Sequence, residues 1–250
     1  MEVVLLQLGG DVVGRDERLK RVDGLLAREG ENADLIVLPE LWTYGAPDFS
    51  RCKERGEPVP GETSVWLSER ARELSSYLVG GSLIERDGES YYNTSLLFDR
   101  HGELIGKYRK SHLLSYHSQE KSVLSVGEDR PTFPTPLARL GIAICYDLRF
   151  PEVFSAMAAA GAEVFVIPAA WPITRWEAWT ALCHARAVEN EAYVLACDGT
   201  GGGLLGRSMV VDPSGVTIAS LGGEEGVLRT RIDLERLRGF REEFTAWREH

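Results

Sequence analysis

Residues 140–152 read Leu-Gly-Ile-Ala-Ile-Cys-Tyr-Asp-Leu-Arg-Phe-Pro-Glu. An apolar, β-branched run stops at Cys145 and turns charged, the pattern of a buried strand followed by a sharp turn. That pattern sets a thiol at the C-terminal end of a strand, where open α/β sheets carry their chemistry. A nucleophile and a core filler both fit, because cysteine is among the most buried residue types. Glu40 ends a second apolar run, Leu-Ile-Val-Leu-Pro-Glu. A carboxylate at a strand end can be desolvated and so become a useful base; a lone glutamate is ordinarily solvated. Lys110 sits in Gly-Lys-Tyr-Arg-Lys-Ser-His-Leu and Glu120 in a polar stretch. By composition alone both read as solvated charges, and Lys107 competes with Lys110. Histidine is the usual partner of a reactive thiol. His112, His117 and His184 are available, in no protease-type signature. No metal-binding H-E-x-x-H, phosphate-binding loop or dinucleotide G-x-G-x-x-G after a strand is present.

The elements that must position these groups follow from periodicity. Residues 3–8 predict a buried strand. Residues 18–29 predict a helix, with Leu19, Val22, Leu25 and Leu26 at helical spacing and Gly30 beyond. A second strand over 34–38 makes a parallel pair with a crossover helix. Residues 49–60 predict a surface loop, 63–74 a helix, 77–85 a strand, and 91–98 with 104–108 a hairpin. The polar stretch 110–130 is long for a compact domain, and such loops are often functional. Strands are predicted over 137–145, 164–168, 193–197, 207–211, 216–220 and 227–232, with helices over 151–160 and 176–190. Gly201-Gly202-Gly203 reads as a flexible turn, and the end of the chain as a charged helix or tail. One α/β domain over residues 1–250 with two stacked sheets is the simplest account.

The chain has 250 residues and a formal net charge of -10, which leaves no basic excess for nucleic acid. Cys52, Cys145, Cys183 and Cys197 are widely spaced and predict free thiols in a reducing compartment. The N-terminal stretch lacks the signs of a signal peptide, and no apolar run approaches membrane-spanning length. A cytoplasmic protein is expected.

Three segments taken together carry more than each alone. They are Leu38-Pro39-Glu40, Tyr108-Arg109-Lys110-Ser111-His112-Leu113 and Cys145-Tyr146-Asp147-Leu148-Arg149-Phe150-Pro151-Glu152. In that order the chain resembles the nitrilase superfamily of carbon–nitrogen hydrolases. The likeness continues through residues 168–172, 186–190 and 206–215. It implies a four-layer αββα sandwich, dimeric or larger, that needs no cofactor and no metal. It implies Cys145 as nucleophile, Glu40 as general base, Lys110 as the cation facing the tetrahedral intermediate, and Glu120 as a second glutamate. The backbone N–H of Tyr146 would join Lys110. Residues 145–152, 170–172 and 186–190 look most like the omega-amidase branch, whose members hydrolyse the terminal amide of 2-oxoglutaramate or 2-oxosuccinamate. Arg149 is then either the partner of a substrate carboxylate or an internal partner of Asp147 or Glu152. Trp171 would be a pocket wall or core, and Tyr44 would line the entrance. Arg186, Glu189 and Asn190 read as structural pairing. An N-carbamoyl amino acid hydrolase, a nitrilase and a non-catalytic binding protein are the alternatives.

Overall fold

A computed structural model of the chain describes residues 1–11, 14–45 and 47–248. The chain runs β1 (Glu2–Gln7), α1 (Arg15–Glu29), β2 (Leu35–Val37), α2 (Cys52–Arg55), α3 (Glu62–Leu74), β3 (Tyr77–Val79), β4 (Leu83–Asp87), β5 (Ser90–Phe98) and β6 (Leu104–Arg109). It continues α4 (Glu120–Val123), β7 (Thr132–Pro134), β8 (Arg139–Ile142), α5 (Pro151–Ala159), β9 (Val164–Ala169), α6 (Trp176–Asn190) and β10 (Tyr193–Asp198). It ends β11 (Thr200–Gly201), β12 (Leu204–Leu205), β13 (Met209–Val211), β14 (Thr217–Ser220), β15 (Gly226–Arg231) and α7 (Leu234–Glu243).

Among the described residues, one sheet has the order β15-β1-β2-β3-β5-β4, with β6 also paired to β5. A second has the order β14-β13-β10-β9-β8-β7. The central strands of the first sheet, β1, β2, β3 and the end of β5, are apolar on both faces, and alternation sorts them into two cores. Val3, Leu5, Leu35, Val37, Val79 and Leu97 pack towards the second sheet. Val4, Leu6, Ile36, Leu78, Leu96 and Phe98 pack under α1 and α3 with Val22, Leu26, Leu67 and Ala71. Slipping a strand by one residue would exchange the two sets, so burial on both faces pins the register. The second sheet is covered outside by α5 and α6 through Phe154, Met157, Trp179 and Cys183. Helices, sheet, sheet and helices give the expected four-layer αββα sandwich. Cys197 lies between the sheets, its thiol donating to the carbonyls of Leu6 (3.3 Å) and Val37 (3.4 Å).

The expected strand over 77–85 is two strands. Gly81 breaks it at φ +65, and a Cβ there would stand 2.0 Å from the Pro39 carbonyl oxygen. The break lets β3 and β4 pair with successive stretches of one edge of β5, whose other edge takes β6, and lets the chain pass tightly over the turn that carries Glu40. The polar stretches 49–60 and 110–130 contain the short helices α2 and α4, and Gly201-Gly202-Gly203 forms the tip of the β11–β12 hairpin. The end of the chain is helical, with the Asp233 side chain accepting the Arg236 N–H as an N-cap.

Lys107, the competing lysine, belongs to a different cluster. It bonds Glu85, which also accepts Arg109 Nε and Nη2, both at 2.9 Å, and Thr94 Oγ1 at 2.7 Å. Burial alone would raise the Glu85 carboxyl, but these donors outweigh it and bring it down from 4.5 to about 2. A depressed carboxyl stabilises the fold above its unfolded value and stops doing so as pH falls through the folded one. Allowing for the partial exposure of Lys107 and Arg109, this is worth on the order of 2 kcal/mol. Glu85→Gln is therefore expected to lower Tm at pH 7 and to flatten the loss of Tm between pH 4.5 and 2. Thermal melts across that window check this; parallel losses in both proteins would reject it.

Candidate active site

The C-terminal ends of β2, β6, β8 and β9 converge at one place between the sheets. Glu40 follows β2 and is held there by its own backbone, whose N–H donates to the Ala169 carbonyl at 3.3 Å. Lys110 follows β6, its N–H on the Asn93 carbonyl (2.8 Å). Lys107 and Lys110 are an odd number of residues apart, so an extended chain sends them to opposite faces. Lys107 is exposed and Lys110 is buried. Cys145 stands just past β8 and opens a tight turn over residues 145–149. Its φ of +44 is unusual for a side chain other than glycine and typical of strained functional positions.

The four expected chemical side chains meet, all buried: Glu40, Lys110, Glu120 and Cys145. Lys110 Nζ donates to Glu40 Oε1 and to Glu120 Oε1, each at 2.8 Å. Asn93 Nδ2 donates to the same two oxygens, at 2.8 and 3.1 Å. Glu40 Oε2 accepts the Ala170 N–H at 3.0 Å, and Glu120 Oε2 accepts the Leu114 N–H at 2.8 Å. Burial by itself would lower the Lys110 ammonium, but Glu120 and Glu40 overcome that and push it well above its ordinary value. Burial, reinforced by Glu40, pushes the Cys145 thiol well up, against the pull of Lys110 and the Ala170 amide. The resting group is thus a thiol beside a carboxylate and a fixed ammonium. Such a set can take a proton from sulfur and meet negative charge on a reacting oxygen.

A cleft of about 950 Å³ opens onto Glu40, Lys110, Glu120 and Cys145. Tyr146, Arg149 and Trp171 line it. Arg149 is exposed, its guanidinium 5.0 Å from the Trp171 ring centroid. The internal pairing considered for Arg149 does not occur among the described residues. Asp147 is taken by Tyr108, Ser111, His112 and Ile144, and Glu152 lies 3.7 Å from His112. Trp171 is both wall and core, since it packs at 5.4 Å on Trp179 and donates Nε1 to the Arg175 carbonyl. Tyr44 corrects an expectation: it lines a small neighbouring cavity with Cys52 and Glu57, under the Arg55 guanidinium. Arg186 pairs with Glu189 at 2.7 Å and donates to the Leu148 carbonyl, as a structural residue would.

None of the three histidines considered bonds the thiol. His112 turns to Asp147 and stacks on Phe150, and His184 bonds Thr217. His117 is on the cleft rim. Among the described residues no group of three or more His, Cys, Asp or Glu could hold a metal ion, and no helix is long and apolar enough to cross a membrane. The four cysteines are free and buried. Sequence reasoning missed Asn93, Asp147 and Asp198. Asp198 is a fully buried polar residue that closes an apolar strand pattern, which is the signal that could have exposed it. Asp198 accepts the Trp171 N–H at 2.7 Å.

The carbon–nitrogen hydrolase family model matches residues 5–242. The chain belongs to that family. Among curated relatives of this carbon–nitrogen hydrolase, the 2-oxoglutaramate amidase of Bacillus subtilis (strain 168) is 36% identical, over 90% of this chain and 88% of its own. The omega-amidase NIT2 of Homo sapiens is 35% identical, over 99% of this chain and 94% of its own. Of solved structures, Saccharomyces cerevisiae Nit3, of the nitrilase superfamily, matches with a TM-score of 0.87 at 32% identity, covering 97% of this chain and 93% of that one. A mutant of the amidase from Nesterenkonia sp. AN1, with acrylamide added at its active-site cysteine, matches with a TM-score of 0.83 at 29% identity, covering 97% of each chain.

Iodoacetamide is expected to label Cys145 before Cys183 and Cys197, which are wholly buried. Because the Cys145 thiol is raised, its labelling rate should keep climbing past pH 9.0, the ordinary thiol value, as thiolate forms. Peptide-resolved labelling against pH checks this, and a plateau at neutral pH would contradict it.

Proposed function

We propose that this carbon–nitrogen hydrolase is an amidase that releases ammonia from a small carboxylate-bearing amide, of the 2-oxoglutaramate kind. The observation that carries this is the Lys110 ammonium bonded at 2.8 Å to both Glu40 and Glu120, beside Cys145, in a cleft whose wall holds Arg149 free of any carboxylate partner among the described residues. Names of relatives support the substrate class: two are a 2-oxoglutaramate amidase and an omega-amidase.

Cys145 is the nucleophile. Glu40 takes its proton as sulfur bonds to the amide carbon, and the carbonyl π electrons move to oxygen. The Lys110 ammonium and the Tyr146 N–H receive that oxyanion; losing one such donor typically costs about 10²–10³ in rate. The oxyanion re-forms the carbonyl, the C–N bond breaks, and Glu40 returns its proton to the departing ammonia. A thioester remains. Glu40 then takes a proton from water, whose oxygen attacks the thioester. Collapse breaks the C–S bond, and the sulfur recovers the proton from Glu40. Glu120 and Asn93 hold Lys110 and Glu40 in place. Arg149 receives the distal carboxylate by bidentate hydrogen bonding, and Trp171 and Tyr146 form the walls.

The whole chain serves as one catalytic domain. It works in the cytoplasm, whose reducing conditions suit four free thiols, and as a homodimer or larger assembly. Exposed Val188 on α6, Val216 just before β14 and Ile218 on β14 are apolar surface that a second copy would cover.

Ammonia release from 2-oxoglutaramate, glutamine, a neutral aliphatic amide, an N-carbamoyl amino acid and a nitrile tests the substrate. Turnover is expected with 2-oxoglutaramate and should vanish in a folded Cys145→Ala protein. Arg149→Leu should raise KM for the carboxylate amide roughly 10–100-fold, as for a lost charge-assisted bond, and leave the neutral amide alone. Turnover of the N-carbamoyl compound or the nitrile alone would replace the substrate. Turnover retained by Cys145→Ala would remove the mechanism.

A further inference from the structure

Lys110 and Cys145 belong to different sheets. Lys110 leaves β6 of the first sheet and Cys145 leaves β8 of the second. No single element sets their separation, yet the ammonium must meet an oxygen on the carbon that the sulfur attacks. One buried carboxylate, Asp147, spans the gap. Its Oδ2 accepts the Tyr108 hydroxyl at 2.7 Å and the Ile144 N–H at 3.0 Å. Its Oδ1 accepts the His112 N–H at 2.9 Å, faces His112 Nδ1 at 3.1 Å and accepts the Ser111 hydroxyl at 3.2 Å. Tyr108, Ser111 and His112 bracket Lys110 along the chain. Ile144 and Asp147 bracket Cys145, and the Asp147 N–H closes the turn on the Ile144 carbonyl at 3.0 Å.

We infer that Asp147 is a positioning residue for the amide hydrolysis, setting the distance between the Lys110 ammonium and the Cys145 sulfur across the two sheets. It rests on the thiol-amidase reading above. Asp147 touches no substrate. It acts through both partners, holding the segment around Lys110 on one side and the strained Cys145 turn on the other. Three observations favour this over simple satisfaction of a buried acid. First, both oxygens are used, and their donors flank Lys110 on both sides and include the residue just before Cys145. Second, Tyr108 is fully buried; burial, with Asp147 next to it, pushes its phenol well up, so it remains a donor. Third, His112 is packed to stay put, its ring 3.7 Å from that of Phe150 on the same turn. His112, one of the thiol partners considered, thus braces the site.

The consequence is specific to the transition state. An ammonium displaced by about 1 Å still leaves room for substrate but misses the developing oxyanion, a loss that can reach about 10²-fold. In an amide in place of the Asp147 carboxylate, the NH₂ would confront donors on one side. Asp147→Asn is therefore expected to lower kcat about 10²-fold with KM within about threefold of the original. Tyr108→Phe keeps the ring and loses one bond, and should lower kcat about 10-fold in the same pattern. The rate of iodoacetamide alkylation at Cys145 should fall in both, because the ammonium that stabilises the thiolate has moved.

A destabilised control separates positioning from folding. Arg241 donates to the carbonyls of Ala162, Asn190 and Glu191, at the N-terminal ends of β9 and β10, the far edge from the cleft. Arg241→Met should lower Tm with kcat and alkylation rate unchanged. If Asp147→Asn does not fold, Tyr108→Phe carries the test. If the folded variants match Arg241→Met, or if KM rises while kcat holds, Asp147 is structural or substrate-facing and the inference is overturned. Alkylation needs no substrate. An intact rate pattern with no ammonia from any amide would therefore discard the amidase assignment and keep the Asp147 linkage.

Discussion

The structure depends on one ammonium buried between two carboxylates. Taking Lys110, Glu40 and Glu120 out of water costs several kcal/mol per charge, which only close geometry and further hydrogen bonds can offset. Both are present. Each carboxylate has its second oxygen on a backbone N–H, from Ala170 and Leu114, and Asn93 bridges the first oxygens. Removing Lys110 would leave two buried carboxylates without a counter-charge. The arrangement therefore constrains everything around it, from the turn after β2 to the loop before α4.

That constraint accounts for several local oddities of the fold. Leu41 and Cys145 both take positive φ, although neither is glycine. Each neighbours a group that must enter the site, Glu40 in one case and the thiol itself in the other. Gly81 and its near contact with Pro39 permit the Glu40 turn. The strain, of order 1–3 kcal/mol per residue, is held by the cores on either side. Residues such as Leu5, Val37, Ile142 and Val166 are wholly buried, and each contributes about 1.5–3 kcal/mol. The sandwich acts as a rigid frame in which strand ends from two sheets are clamped at one edge.

Much of the frame was legible. Strands and helices with apolar faces over 3–8, 63–74, 164–168 and 176–190 declare themselves through period and length. The single strand expected over 77–85 failed because a glycine pair inside an apolar run looks like a weak strand until the opposing chain is known. Glu40, Lys110, Glu120 and Cys145 stand out in the sequence by a resemblance carried on ordered motifs, their types suit thiol chemistry, and the structure brings them together. Tyr44 is expected at the entrance. The helical turn at 42–44 turns it instead towards Arg55 and the smaller cavity. Asn93 and Asp147 carried no signal of their own, because a hydrogen-bond hub is defined by what arrives from other strands.

The sequence by itself determined the local matters: where strands stop, which residues at those ends can ionise or attack, and that burial on both faces demands layers. Only the tertiary structure decided which lysine meets which carboxylate, that Glu40 and not a histidine faces the thiol, and that Arg149 has no carboxylate partner among the described residues while Asp147 is saturated. Periodicity and composition are properties of neighbours along the chain. Salt bridges and hydrogen bonds between residues 70 or 130 positions apart, such as Lys110 to Glu40 and Ala170 to Glu40, exist only once two sheets have packed and fixed the distance between their edges.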